Sequence, residues 1–300
     1  MVWLNRFIYA YAVMAASLAL AGFIGYMSTP ARANAEPVVG SVVMSVTTPN
    51  GAPVDAINLS ELATTLVYVH GTVSDADGAS DINADQLQVD FYRNGLANTF
   101  ACPEDNNNCY RVVGGCQITN QQANSEDYEC IIPLQYYADP TDIGTWGAEQ
   151  WEARILATDM SGATSSVTVA TEVNSLTALN LSGDLGYGAF GLGTTSTSDV
   201  ALTITNTGNT ALNVEASGAD MACARGAIPV SNQHYAFSPG QDFSVMTSLT
   251  ATPTLNIVNL NKQTSAASAG ATMYFKLVAP VFGVSGSCTG LNTITAVSAG

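Results

Sequence analysis

Basic residues are scarce in this chain. Eight Lys and Arg face 24 Asp and Glu among 300 residues, a formal net charge of -16. That balance excludes nucleic acid and anionic lipid headgroups as partners, because both need positive charge on the protein. Charged residues of either sign reach only 11%, less than half the usual share. There are two histidines, which leaves little for metal or acid–base chemistry. Helical periodicity is almost missing after the first 35 residues, and no second apolar run has bilayer-spanning length. No phosphate-binding loop, dinucleotide fingerprint or coiled-coil run stands out. No G-x-S-x-G elbow or paired carboxylate set singles itself out, so no catalytic residue is assigned. Hydrophobic residues make up 47%, enough to bury a core and to exclude disorder of the whole chain. The length suits one large domain or two ordinary ones.

The first 35 residues read as a targeting segment. Arg6 precedes an uncharged apolar run over residues 7–27, and Ala33-Asn34-Ala35 fits a small-x-small cleavage signal with Glu36 as the new N-terminus. The run is also long enough to span a bilayer. A cleaved secretory signal and an uncleaved anchor helix therefore both stay open, and both export the remainder. Cleavage would remove Arg6 and Arg32 and no acid, so the exported chain becomes still more acidic. Its lysines are Lys262 and Lys276.

The cysteines agree with export. Cys102, Cys109, Cys116 and Cys130 form one group, Cys223 and Cys288 another. Even counts suit disulfides in an oxidising compartment. Four cysteines allow three connectivities. Cys102–Cys109 and Cys116–Cys130 are favoured because local loops close at small entropic cost. A zinc site in this group lacks any C-x2-C knuckle. Cys223–Cys288 would close a long loop.

Short β-branched runs bounded by Gly, Pro, Asn, Asp and Ser predict strands throughout. They fall at residues 38–46, 64–73, 86–93, 128–137, 151–158 and 163–173. A second series covers 176–181, 200–205, 212–216, 254–260, 272–278 and 293–297. In 86–93 strict alternation places Leu87, Val89 and Phe91 on one face. The expected architecture is all-β: two tandem sandwiches, 36–174 and 175–300, after the signal or anchor of 1–35.

Residues 187–193 (YGAFGLG), 198–209 (SDVALTITNTGN) and 211–214 (ALNV) resemble the opening of ASPM/SPD-2/Hydin-type immunoglobulin-like domains. The likeness covers about residues 176–216 and implies fold, not activity. Residues 69–78 (VHGTVSDADG) and 154–162 (RILATDMSG) make the first half similar to the PKD-like or cadherin-like immunoglobulin modules of exported prokaryotic surface proteins. The segment 98–127 departs from that pattern.

Asp75, Asp77, Asp81 and Asp85, with Asp159, form the best chemical constellation. Closely spaced loop carboxylates supply the oxygen ligands that Ca2+ takes, and a plain Asp/Gly turn is the alternative. Glu104, Asp105, Glu126 and Asp127 read as a solvated, disulfide-stapled surface loop. Tyr136, Tyr137, Trp146 and Trp151 are either core or a platform for sugar rings. His70 and His234 have no catalytic partner. Asn58 and Asn180 head glycosylation acceptor triplets. The expected function is a non-enzymatic, exported structural or adhesive protein with a protein or glycan partner at the cell surface and no cofactor other than Ca2+. Its only membrane contact would be an uncleaved N-terminal segment. The alternatives are a carbohydrate-binding module and a secreted hydrolase with an unrecognised site.

Overall fold

Period-two alternation and Gly/Asn turns leave the chain little choice but strands. The computed structural model describes residues 33–46, 48–96, 102–264 and 269–299. The apolar run and anchor helix expected before residue 33 lie outside them. In the first half the strands are β1 (Val38–Ser45), β2 (Ala56–Ile57), β3 (Thr64–Ser74), β4 (Gln88–Arg93), β5 (Cys109–Val113), β6 (Gln117–Thr119), β7 (Ser125–Gln135), β8 (Trp151–Thr158) and β9 (Thr164–Val173). One sheet has the order β1-β3-β7-β6, the other β2-β9-β8-β4-β5. Pairing is antiparallel except for the short parallel contact of β2 with β9.

Leu87, Val89 and Phe91 are all buried, as their alternation requires. They meet Val67 and Val69 of β3 and Tyr128, Ile132 and Leu134 of β7 in a single apolar cluster. The two sheets therefore pack face to face as a sandwich. Trp151 is fully buried against Phe91, with ring centroids 4.8 Å apart. Its indole N–H donates to the Asp139 carbonyl at 2.8 Å, which satisfies the one polar atom that burial strands.

The second half holds β10 (Leu179–Ser182), β11 (Val200–Asn206), β12 (Leu212–Gly218), β13 (Met221–Arg225), β14 (Ala227–Ile228), β15 (Gln233–Ala236), β16 (Thr247–Ser248), β17 (Thr254–Leu260), β18 (Gly270–Leu277), β19 (Ser285–Thr289) and β20 (Asn292–Ser298). They form three sheets: β10-β11-β18-β15-β16, β17-β12-β20 and β14-β13-β19. Leu202, Ile204, Leu212, Val214, Tyr235 and Phe275 lie in a separate core. The regular structure of the described residues is thus strand, with short 3-10 turns. Among those residues no helix is long and apolar enough to cross a membrane.

All six cysteines are paired, as Cys102–Cys109, Cys116–Cys130 and Cys223–Cys288. Three disulfides fit an oxidising compartment. The cysteine-bearing segment is less of a free loop than its composition suggests. Its described part lends an edge strand to each sheet of the first half, β5 beside β4 and β6 beside β7.

Candidate functional site

The loop that follows β3 gathers the acidic residues. The Asp75 N–H donates to the Asn124 carbonyl at 2.8 Å, and its Oδ1 accepts the Asp77 N–H at 2.8 Å. This side-chain turn reverses the chain. Gly78 continues it at φ 125, a conformation that side chains disfavour. The 3-10 turn Ala79–Asp81 then carries Asp81 back towards Asp75. One carboxylate oxygen from each of Asp75, Asp77 and Asp81 lies within 4.8 Å of the others.

Asp159 sits in the β8–β9 hairpin next to this group. The Met160 N–H donates to the Asp81 carbonyl at 2.7 Å, which clasps the two loops together. Asp159 is outside the trio, however. Its Oδ1 accepts the Ser161 and Ala163 N–H groups at 2.9 and 2.8 Å, and its Oδ2 accepts Asn34 Nδ2 at 2.7 Å. The bond from Asn34, then those from the Ala163 and Ser161 amides, hold its carboxyl below the ordinary value, against an opposing cost of burial. Asp81 is pushed the other way, first by desolvation and then by the charges of Asp159, Asp75 and Asp77. Asp85 is exposed in the next 3-10 turn. Sequence reading missed that the incoming chain closes over this loop. Besides Asn34, the Ala35 N–H donates to Asp77 Oδ2 at 2.7 Å. Contacts separated by 42 and 125 positions leave no local signal.

The second acidic group disperses. Glu104 and Asp105 accept backbone N–H bonds that shape the loop before β5. Glu126 and Asp127 lie on β7, and Glu126 is buried, contrary to the solvated loop expected. The aromatic group also disperses. Tyr136, Tyr137 and Trp151 are buried and offer no open face to a sugar ring. Trp146 is half-buried, and the Arg93 guanidinium lies 4.7 Å from its ring centre. Trp146 and Ile143 line a cavity of about 400 Å3 whose other wall is formed by Asn209, Asn261 and Lys262. His70 is on β3, with Nε2 3.2 Å from the Gly51 carbonyl. His234 is on β15, stacked on Phe243 at 3.9 Å. The glycine-rich connection around Tyr187 and Phe190 covers a further cavity of about 770 Å3, walled by Met221, Ile228 and Leu277. The Tyr187 hydroxyl donates to Gln233 Oε1 at 3.1 Å, and burial raises its pKa above the usual value.

An all-β, disulfide-bonded protein with an acidic loop cluster is thus defined. No protein-family model matches the chain, and no curated protein matches it. Among solved structures it is similar to dimeric latent PorU from Porphyromonas gingivalis, at 12% identity and a TM-score of 0.30, covering 91% of this chain and 21% of that one. The chain therefore spans about a fifth of the PorU chain. It is also similar to a chaperone–tip adhesin complex of CFA/I fimbriae biogenesis, at 10% identity and a TM-score of 0.30, covering 89% of this chain and 92% of that one. The secreted serine protease VesC from Vibrio cholerae follows at 8% identity and a TM-score of 0.18, covering 85% of this chain and 51% of that one. Likenesses this low carry no argument about fold family or activity. The immunoglobulin-like resemblance rests on the residues quoted for it.

Proposed function

We propose that this is an exported, non-enzymatic structural or adhesive protein of the cell surface or extracellular space. In this reading two tandem immunoglobulin-like sandwiches, 36–174 and 175–300, follow an N-terminal signal or anchor. Disulfide pairing of every cysteine on an all-β scaffold carries the reading, because such pairing persists where the surroundings are oxidising. Binding through sheet edges is supported by β17. It ends the order β17-β12-β20, and it leaves Leu255 and Ile257 49% and 66% exposed. An unpaired edge of that kind can accept a strand from a partner.

N-terminal sequencing of the native protein from cell envelope and medium tests export. Glu36 in the medium identifies the secreted form, and an intact Met1 or Val2 in the envelope identifies the anchored form. Recovery only from the cytoplasm, with free thiols, refutes the reading. Adherence of cells displaying the protein tests the binding role, with Ile257→Lys expected to lower it if β17 is the contact.

A further inference from the structure

We propose that Asp75, Asp77 and Asp81, with Asp159 as an adjacent charge, form a Ca2+-binding site at the end of the first sandwich. Two independent observations carry this. The first is the convergence of three carboxylates from one turn to within 4.8 Å. The second is the state of Asp75. This residue is only 2% exposed, and its Oδ2 has no hydrogen-bond partner among the described residues. A buried carboxylate oxygen without a donor is costly. A cation held by the cluster gives it a partner and offsets the mutual repulsion of the acids. None of the ion pairs among the described residues reaches Asp75, Asp77, Asp81 or Asp159.

The donor set selects the ion. Every side-chain ligand is a carboxylate oxygen, which suits a hard cation and not zinc or copper. The three sit on an irregular turn. Ca2+ accepts six to eight oxygens in flexible geometry, whereas Mg2+ demands a near-ideal octahedron and keeps most of its waters. The site is independent of the adhesive reading, since an ion could brace this loop in a protein of any role.

Calorimetry and thermal melting of the full chain in detergent, stripped of divalent ions, test the proposal. Ca2+ should bind at one site with a Kd on the order of 0.1–1 mM, the range of extracellular modules. At 10 mM it should raise the Tm by about 3 °C or more. Hydrogen exchange at residues 75–81 should slow. Asp77→Asn and Asp81→Asn should each weaken binding about tenfold or more. Asp77 is exposed, its backbone N–H serves the Asp75 turn, and an asparagine side-chain oxygen still accepts the Ala35 N–H that Asp77 Oδ2 accepts, so Asp77→Asn is expected to keep the apo fold. Glu215→Gln, in the other half, should change nothing. Absence of both heat and Tm shift overturns the proposal. Full affinity in the Asp77→Asn/Asp81→Asn double variant also overturns it, because the ion then binds elsewhere. An equal shift from equal Mg2+ overturns the choice of calcium.

Discussion

Asp90 occupies the middle of β4 with no exposed side-chain surface, and both of its oxygens face arginines. Arg111 Nε approaches Oδ1 at 2.6 Å, and Arg154 pairs with Oδ2. Two cations around one desolvated carboxylate make a pair that is expensive to break. Asp90→Ala is expected to lower stability by about 3–5 kcal/mol, read by chemical denaturation; a loss below 1 kcal/mol would contradict it. Glu126 is the opposite case. Burial raises its pKa, and only Gln121 opposes this with a hydrogen bond to Oε2 at 3.2 Å. The folded state then holds the proton more tightly than the unfolded chain. Its contribution is intact below the ordinary glutamate range and is lost as pH rises through the raised value. Glu126→Gln should therefore raise Tm at pH 7, with the gain vanishing near pH 4. An equal gain at both pH values would show that charge is not the cause. Only part of this was legible in the sequence. Alternation over residues 86–93 announced the inward face of Leu87, Val89 and Phe91, and by the same rule it put Asp90 and Tyr92 on the opposite face and Arg93 on the inward one. They are buried because the loop closed by Cys102–Cys109 covers Tyr92, while arginines and acids pair over the rest. Those partners are too distant in sequence for any local pattern to report. The Asp75–Asp81 turn was legible because all its members lie within one loop.

Among the elements, long strands with β-branched alternation announced themselves: Trp151–Thr158 and Thr254–Leu260 have the bounds that their composition implies. The short strands β13, β14, β15, β16 and β19 did not. They are two to five residues long and rich in Ala, Ser, Gly and Cys. Tertiary context, not propensity, makes them strands. For β13 and β19 that context includes a covalent bond, since Cys223 and Cys288 stand directly opposite each other in the ladder. The small sheet has only a modest apolar cluster, in which Met221 and Ile228 pack against Leu277 of β18, so the crosslink matters more than it would in a large core. With the cysteines 65 positions apart, the chain-entropy relation gives about 4 kcal/mol. Cys223→Ala/Cys288→Ala should lose that much in guanidinium unfolding, with the β13–β19 amides exchanging first. Unchanged stability would mean that the sheet is held by packing alone.

At the scale of the whole molecule, the two halves meet through a lysine in a chain that has very few. Lys262, just after β17, reaches across to the first half. Its Nζ donates to the Tyr137 carbonyl at 2.6 Å and lies 2.8 Å from Asp139 Oδ1. Asp139 is buried and also binds Arg93 Nε at 3.1 Å, so the junction plugs into the polar end of the first core beside Trp151. Around it, Thr207 donates to Glu61 at 2.5 Å, Tyr136 donates to Gln263, and Asn209 donates to the Asn174 carbonyl at 3.1 Å. The sequence offered only the lack of a Pro/Gly-rich spacer near Asn174. Nothing local marks Lys262, because the meaning of a lysine depends on what lies opposite it in space. Lys276 supplies the contrast. It pairs with Asp199 at 3.3 Å and donates to the Gln241 carbonyl at 2.7 Å, both inside the second half. If the part-buried Lys262 contact couples the halves, Lys262→Ala should split a single calorimetric unfolding transition into two and lower the first by about 2–4 kcal/mol. That is somewhat less than breaking an isolated buried pair costs, since Asp139 keeps Arg93. Lys276 has its partners within the second half, so Lys276→Ala should leave one transition. A single transition in both variants would show that the remaining hydrogen bonds suffice to make the two cores unfold together.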